Sequence, residues 1–147
     1  MHKAVYALAA LLILGQTARA DDQQEEANKK IVIAFYEAAI NQKDFAAAEK
    51  YLGPRYIQHN PNVPDGPQGL KNFLAFLRDK YPAAHSDIRR AFADGDYVIL
   101  HVHNVREPNT AGSAIVDIFK LEDGKIVEHW DVIQPIPDKA ANGNGMF

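Results

Sequence analysis

Residues 113–134, SAIVDIFKLEDGKIVEHWDVIQ, decide the fold, because two runs of alternating apolar and polar residues flank the dipeptide Asp123-Gly124. Asp-Gly between alternating runs is a strong signal for a two-residue β-hairpin. Upstream the same period of two continues, with turn residues at Asp94-Gly95-Asp96 and from Pro108 to Gly112. The pattern predicts four consecutive antiparallel strands, near residues 86–93, 97–106, 113–122 and 125–134.

Helical periodicity precedes these strands. It predicts one helix over residues 22–41, a short helix from the N-cap Asp44 to Gly53-Pro54, and a third helix over residues 68–81. Residues 56–67 contain three prolines and predict a loop with a short extended lead-in. Helices followed by an antiparallel meander indicate an α+β domain.

The first twenty residues are typical of a secretory signal. They contain the basic residue Lys3, an apolar run over residues 4–14, and the small-x-small site Ala18-Arg19-Ala20. The expected location is therefore periplasmic or secreted, and an uncleaved anchor helix is the alternative. The predicted organisation is a signal peptide at 1–20, one folded domain at 21–137 and a flexible C-terminal tail at 138–147.

Charge and composition exclude several classes of function. Without Lys3 and Arg19, 14 basic residues remain against 19 acidic ones, a net charge of −5. That sign disfavours nucleic acid and anionic membrane surfaces as partners once the signal is removed. The chain has no cysteine, which excludes disulfides, thiol nucleophiles and cysteine-ligated zinc. It also lacks a glycine-rich nucleotide loop and a Gly-x-Ser-x-Gly nucleophile turn.

Asp117 interrupts an otherwise apolar strand and is the main functional candidate. A buried, unpaired carboxylate is costly, so such a group is usually neutralised, paired or used in chemistry. On the preceding strand, His101 and His103 share one face. A connecting loop with an odd number of residues would place His103 opposite Asp117 and His101 diagonal to it, whereas an even loop would place them on opposite faces.

The Asp123-Gly124 hairpin gives a second register. A regular hairpin sets Asp117 opposite Trp130, so that Trp130 joins the face of Asp117. Without a bulge, His129 and Asp131 would then point the other way.

Several alternatives stay open from the residues alone. Asp117 could be a structural carboxylate capped by the backbone or by Arg106. His101 and His103 could ligate a metal together with Asp117 or His59, although no helical His-Glu-x-x-His motif supports such a site. His59 lies in a proline-rich loop and is a candidate either for substrate binding or for a hydrogen bond that pins the loop.

The motifs resemble a known group. They are Tyr56-x-Gln58-His59-Asn60-Pro61, Gly66-x-x-Gly69, His101-x-His103, and the run from Asp117-Ile118-Phe119 through Glu128-His129-Trp130-Asp131. Together they are similar to the SnoaL-like polyketide cyclase group of the nuclear transport factor 2-like superfamily, over about residues 28 to 137.

The resemblance implies a cone-shaped, curved antiparallel sheet wrapped by three N-terminal helices, a deep apolar pocket and a homodimer. It implies an aspartate acid/base catalyst at Asp117, assisted by His103 and by His101 at the neighbouring polar position. The implied reaction is an aldol-type cyclisation or an enolisation of a small apolar carbonyl compound, with no cofactor and no metal. A non-catalytic ligand-binding module on the same fold is the alternative. The residues expected to bind substrate are His59, Trp130, Tyr36 and Phe119.

Overall fold

The computed structural model describes residues 21–147, so the predicted signal peptide lies outside the described residues. The first helix, α1, is α-helical over 21–36 and continues as a π-helical turn, Glu37–Asn41. It is followed by α2, Phe45–Glu49, and α3, Gly66–Lys80. The predicted N-cap is confirmed, because the Asp44 side chain accepts a hydrogen bond from the backbone N–H of Ala47 at 3.0 Å.

Five strands form one curved sheet. Their bounds are β1, Leu52–Gln58; β2, His85–Asp94; β3, Tyr97–Val105; β4, Ser113–Glu122; and β5, Lys125–Pro135. The spatial order is β1-β5-β4-β3-β2, and β2 to β5 form the predicted antiparallel meander. Strand β1 pairs with β5 in parallel, so the complete sheet is mixed. This strand occupies residues assigned from the sequence to the end of the second helix and to a loop.

The helices cover one face of the sheet, which we call the inner face. Residues of β3 and β4 point alternately to the two faces, so Leu100 and Phe119 are buried while Tyr97 and Val116 are exposed on the outer face. The inner side chains pack against Phe35 of α1 and other apolar residues of the helices. In the described part of the chain, no helix is long and apolar enough to cross a membrane.

The connection between β3 and β4 sets the first register. Asn104 pairs with Ser113, so residues 105–112 lie between the last paired positions, and this loop has an even length. Consequently Asp117 lies opposite Leu100, while His101 lies opposite Val116. The prediction that His103 and His101 share a face with Asp117 is wrong, because a shift of one residue moves every side chain to the other face.

A β-bulge sets the register between β4 and β5. Near the hairpin turn Leu121 pairs with Ile126, but Lys120 pairs with Glu128, which leaves Val127 as an extra residue. Ile126 and Val127 are adjacent and both almost fully buried, which is consistent with the bulge. Beyond the bulge the faces are exchanged relative to a regular hairpin, so His129 and Asp131 join the face of Asp117.

The C-terminal tail after β5 has no regular secondary structure, but its last residue is packed. The ring of Phe147 lies 5.2 Å from that of His101 and 4.8 Å from that of His103, on the outer face of the sheet. The predicted flexible tail is therefore anchored at its end.

Candidate functional site

A cavity of about 530 Å³ lies between the helices and the inner face of the sheet. Its walls are mostly apolar, and include Phe35, Leu70, Phe73 and Phe119. Polar side chains converge on one part of the lining, where β1, β4 and β5 meet. These side chains are Tyr36, Tyr56, Gln58, Asn60, Asp117, His129 and Asp131.

Asp117 is the buried acid of this group, with 5% of its surface exposed. Burial raises the pKa of its carboxyl group, and contact with His129 opposes part of that rise. Asp117 Oδ1 lies 3.1 Å from His129 Nε2. Among the described residues, Asp117 Oδ2 has no hydrogen-bond partner. One carboxylate oxygen is thus engaged by His129, while the other is buried without a hydrogen-bond partner among these residues, and the nearby Tyr36 hydroxyl also lowers the pKa of Asp117.

His129 is held from its other side by β1. His129 Nδ1 lies 2.8 Å from Gln58 Oε1. Gln58 Oε1 also accepts the backbone N–H of Asn60 at 2.9 Å, and Gln58 Nε2 donates to the Tyr56 hydroxyl at 3.3 Å. The imidazole is therefore fixed between an amide on β1 and a carboxylate on β4.

Asp131 is the second acid, and its carboxylate accepts a hydrogen bond from the Asn60 side-chain amide. The charge of Asp131 also contributes to the raised pKa of Asp117, after the larger effects of burial and His129. The site therefore holds two carboxylates in different surroundings, one buried and one partly exposed.

Two tyrosines complete the polar part of the cavity. Burial is the main cause that raises the pKa of Tyr36 and of Tyr56, and the charge of Asp117 is the second. Both phenols therefore stay protonated at ordinary pH and can donate hydrogen bonds. The Tyr56 oxygen already accepts from Gln58, which leaves its own O–H free to donate.

The structure places three of the predicted site residues in the cavity. Asp117, Tyr36 and Phe119 line it. His101 and His103 lie on the outer face instead, where their Nδ1 atoms face Arg90 at 2.9 Å and Arg89 at 3.2 Å. They do not contact Asp117, so the predicted pairing of these histidines with the carboxylate fails.

His59 and Trp130 also lie outside the cavity. Their rings are stacked, 4.5 Å apart and 4° from parallel, and His59 Nε2 lies 3.2 Å from a Glu128 carboxylate oxygen. This contact agrees with the alternative in which His59 pins the loop. The predicted role of Trp130 in the pocket rested on the regular hairpin register, which the bulge overturns.

A possible metal-binding group is formed by residues other than those predicted from the sequence. Asp117, His129 and Asp131 each offer a ligand atom, and these atoms lie within 4.8 Å of one another. One imidazole and two carboxylates suit a divalent cation such as Zn²⁺ or Mn²⁺. The sequence predicted His101 and His103 with either Asp117 or His59. The set with Asp117 cannot assemble because the two histidines lie on the other face of the sheet, and among residues 21–147 no group of possible metal ligands contains His59.

The sequence reasoning missed His129, Asp131 and Gln58 as site residues. A signal that could have pointed to them is the adjacent apolar pair Ile126-Val127, which interrupts the alternation of β5 and is consistent with a bulge. Gln58 required the parallel pairing of β1 with β5, which aligns Gln58 with His129.

The fold, with its cavity between the helices and the sheet, defines a nuclear transport factor 2-like α+β domain. Within that class, the chain belongs to the SnoaL-like domain family, whose model matches residues 32–129.

Solved structures share this fold. One is a proposed polyketide cyclase from Acidithiobacillus ferrooxidans, with 22% identity, a TM-score of 0.62, and coverage of 73% of this chain and 87% of that one. An NTF2-like protein of unknown function from Cytophaga hutchinsonii has 20% identity and a TM-score of 0.61, and the match covers 74% of this chain and 90% of that one. An LEH-like epoxide hydrolase from M. tuberculosis has 20% identity and a TM-score of 0.62, and the match covers 75% of this chain and 84% of that one. The comparison with curated proteins gives no match. Identities at this level establish a shared fold and leave the chemistry to the site.

Proposed function

We propose that this protein is a cofactor-independent acid/base catalyst that enolises a small, largely apolar carbonyl compound, with Asp117 as the base. The observation that carries the proposal is the buried Asp117 carboxylate in the cavity wall, with Oδ1 held by His129 and Oδ2 without a hydrogen-bond partner among the described residues. A base works best when its pKa lies near the working pH, and burial moves the pKa of Asp117 in that direction.

The proton transfers balance without a cofactor. Asp117 Oδ2 takes a proton from the carbon next to the substrate carbonyl, the C–H electron pair forms the carbon–carbon double bond of the enolate, and the carbonyl π pair moves onto the oxygen. The neutral hydroxyl of Tyr56 or Tyr36 donates a hydrogen bond to that oxygen. In an aldol closure the enolate carbon attacks a second carbonyl, and the resulting alkoxide recovers the proton from Asp117. Return of the proton to a different carbon would instead give an isomerisation.

The walls of the cavity support this class of substrate. Apolar side chains from α1, α3 and β4 line most of it, and the ionisable groups lie near Asp117 except for Arg106, which is further along the wall. A volume of about 530 Å³ suits a small organic molecule. The protein would therefore hold an apolar body in place and do its chemistry at one carbonyl.

A decisive experiment measures exchange of an acidic C–H proton for deuterium in a 1,3-dicarbonyl compound by NMR. The variant Asp117→Asn keeps the shape of the side chain and removes the base, so we expect the enzyme-dependent exchange to fall to background while ligand binding persists. Asp94→Asn, at an exposed position at the end of β2, is the matched control. Undiminished exchange in Asp117→Asn would exclude the acid/base role, and binding without exchange in the wild type would favour a ligand-binding module.

We further propose that the protein is exported to the periplasm or beyond, on the strength of the signal-like residues 1–20. N-terminal sequencing of protein from a periplasmic fraction should begin at Asp21. Material that stays in the cytoplasm with an intact N-terminus would refute export.

A homodimer through the outer face of the sheet is a third proposal. Paired across β4 and β5, Val116 and Val132 are both exposed on this face. Light scattering should give twice the chain mass, and Val132→Lys should give the monomer. A wild-type monomer at all concentrations would contradict the proposal.

A further inference from the structure

We infer that Gln58 is a positioning residue that holds His129 with a proton on Nδ1, so that Asp117 and His129 share a single proton and Asp117 Oδ2 is left for the substrate. The catalytic meaning of this inference rests on the proposed function. The tautomer itself can be tested without any turnover.

The orientation of the Gln58 amide is the first step. Its Oε1 accepts the backbone N–H of Asn60 at 2.9 Å, while its Nε2 donates to the hydroxyl of Tyr56 at 3.3 Å. The reversed amide would place an NH₂ group against the backbone N–H of Asn60, so that two donors would meet. The hydrogen-bond network therefore fixes Oε1 toward His129.

The tautomer of His129 follows from this orientation. A carbonyl oxygen only accepts, so the contact of 2.8 Å between Gln58 Oε1 and His129 Nδ1 requires the proton to lie on Nδ1. In the neutral ring, His129 Nε2 then carries a lone pair and points at Asp117 Oδ1.

One shared proton is the consequence. A lone pair on Nε2 and an ionised Oδ1 would be two acceptors 3.1 Å apart in a buried site, which is unfavourable. A single proton between them gives either a carboxylic acid bonded to a neutral imidazole or a carboxylate bonded to an imidazolium. In the second state Asp117 Oδ2 is a base with its charge compensated, and it can accept the substrate proton.

Other ionisable groups face this pair and must be included in its pH dependence. They are Asp131 on β5, Tyr36 on α1, Tyr56 on β1 and, further along the cavity wall, Arg106 after β3. The lining residues of α3 carry no charge. Asp131 adds a second carboxylate beside the pair, and the neutral tyrosines add no charge. These groups surround the proton that Asp117 and His129 share, and Asp117 is the member of the pair whose pKa is raised by burial.

The test uses the ¹⁵N shifts of the imidazole nitrogens in protein labelled at histidine, with His129→Asn to assign the signals. In the wild type we expect His129 Nδ1 to be protonated across the pH range of activity. Gln58→Met removes the acceptor at similar volume, so we expect it to give a mixture with protonated Nε2. Gln58→Glu keeps an acceptor and should restore the wild-type tautomer. A neutral wild-type ring with its proton on Nε2, or an unchanged tautomer in Gln58→Met, overturns the inference.

Kinetics add a second readout. In Gln58→Met we expect kcat for exchange to fall by about tenfold or more with little change in KM, since one hydrogen bond is worth a factor of this order. The pH profile should also shift, and Gln58→Glu should recover part of the rate. Gln68→Met, on the exposed start of α3, is the control for loss of a glutamine. If the wild type shows the Nδ1 tautomer but no exchange, the proposed function fails while the positioning by Gln58 stands.

Discussion

The variant Asp117→Asn should be more stable than the wild type above neutral pH, although it should be inactive. In the wild type, the Asp117 carboxylate lowers the stability of the folded protein, because it is only 5% exposed and one of its oxygens has no hydrogen-bond partner within the described chain. An amide of the same shape carries no charge, and its NH₂ group can donate to His129 Nε2 in place of the shared proton. The amide oxygen remains unpartnered, but an unsatisfied buried group costs about 1–3 kcal/mol and more when it is charged, so loss of the charge should stabilise the variant by about 1 kcal/mol.

The pH dependence gives this prediction its sign. The folded-state pKa of Asp117 is raised, so the folded protein binds the proton more tightly than the unfolded chain. Wild-type stability from this group is therefore fully present below the unfolded value of about 3.9 and is lost as the pH rises through the higher folded value. The advantage of Asp117→Asn should accordingly be larger at pH 8 than at pH 5.

Calorimetry at the two pH values measures the effect. For a folded part of about 127 residues, 1 kcal/mol corresponds to a shift in Tm of about 4 °C. The exposed-site variant Asp94→Asn should show no comparable gain. If Asp117→Asn were less stable than the wild type at pH 8, or if its gain in stability were equal at both pH values, Asp117 would not be a buried acid with a raised pKa.

Three further predictions concern the fold around the site. His103→Ala should leave proton exchange within about twofold of the wild type, because this histidine lies on the outer face; a loss of tenfold or more would contradict the register. Gly69→Ala should lower stability by about 1–3 kcal/mol, since its Cβ would lie 1.8 Å from the carbonyl oxygen of Pro64, whereas Gly143→Ala meets nothing and should be neutral in the same denaturant titration. Deletion of Val127 should abolish exchange even in protein that stays folded by circular dichroism, because removing the bulge turns the following side chains to the opposite face; an active deletion variant would show that the bulge does not set the site.

The sequence predicted the elements well because each depends on local patterns. The alternation on either side of Asp123-Gly124 located four strands to within about two residues, and Asp44 identified the start of α2. Whether a side chain lies on the inner or the outer face depends instead on whether the preceding loop has an odd or an even number of residues. One extra residue in a loop or a bulge therefore reverses the face. The even loop over 105–112 moved the histidines of β3 outward, and the bulge at Val127 moved His129 inward.

Strand β1 explains why the site could not be assembled from the sequence alone. Its contacts with β5 join residues 71 positions apart, Gln58 with His129 and Asn60 with Asp131. No periodicity within either segment encodes that pairing, and Gly53-Pro54 at the start of β1 reads as a helix stop. The pairing aligns the two amides with His129 and Asp131 and thereby orients these two side chains toward β4. Packing of β1 thus completes the surroundings of Asp117 in the proposed acid/base site, and changes that loosen β1 should impair catalysis before they unfold the meander.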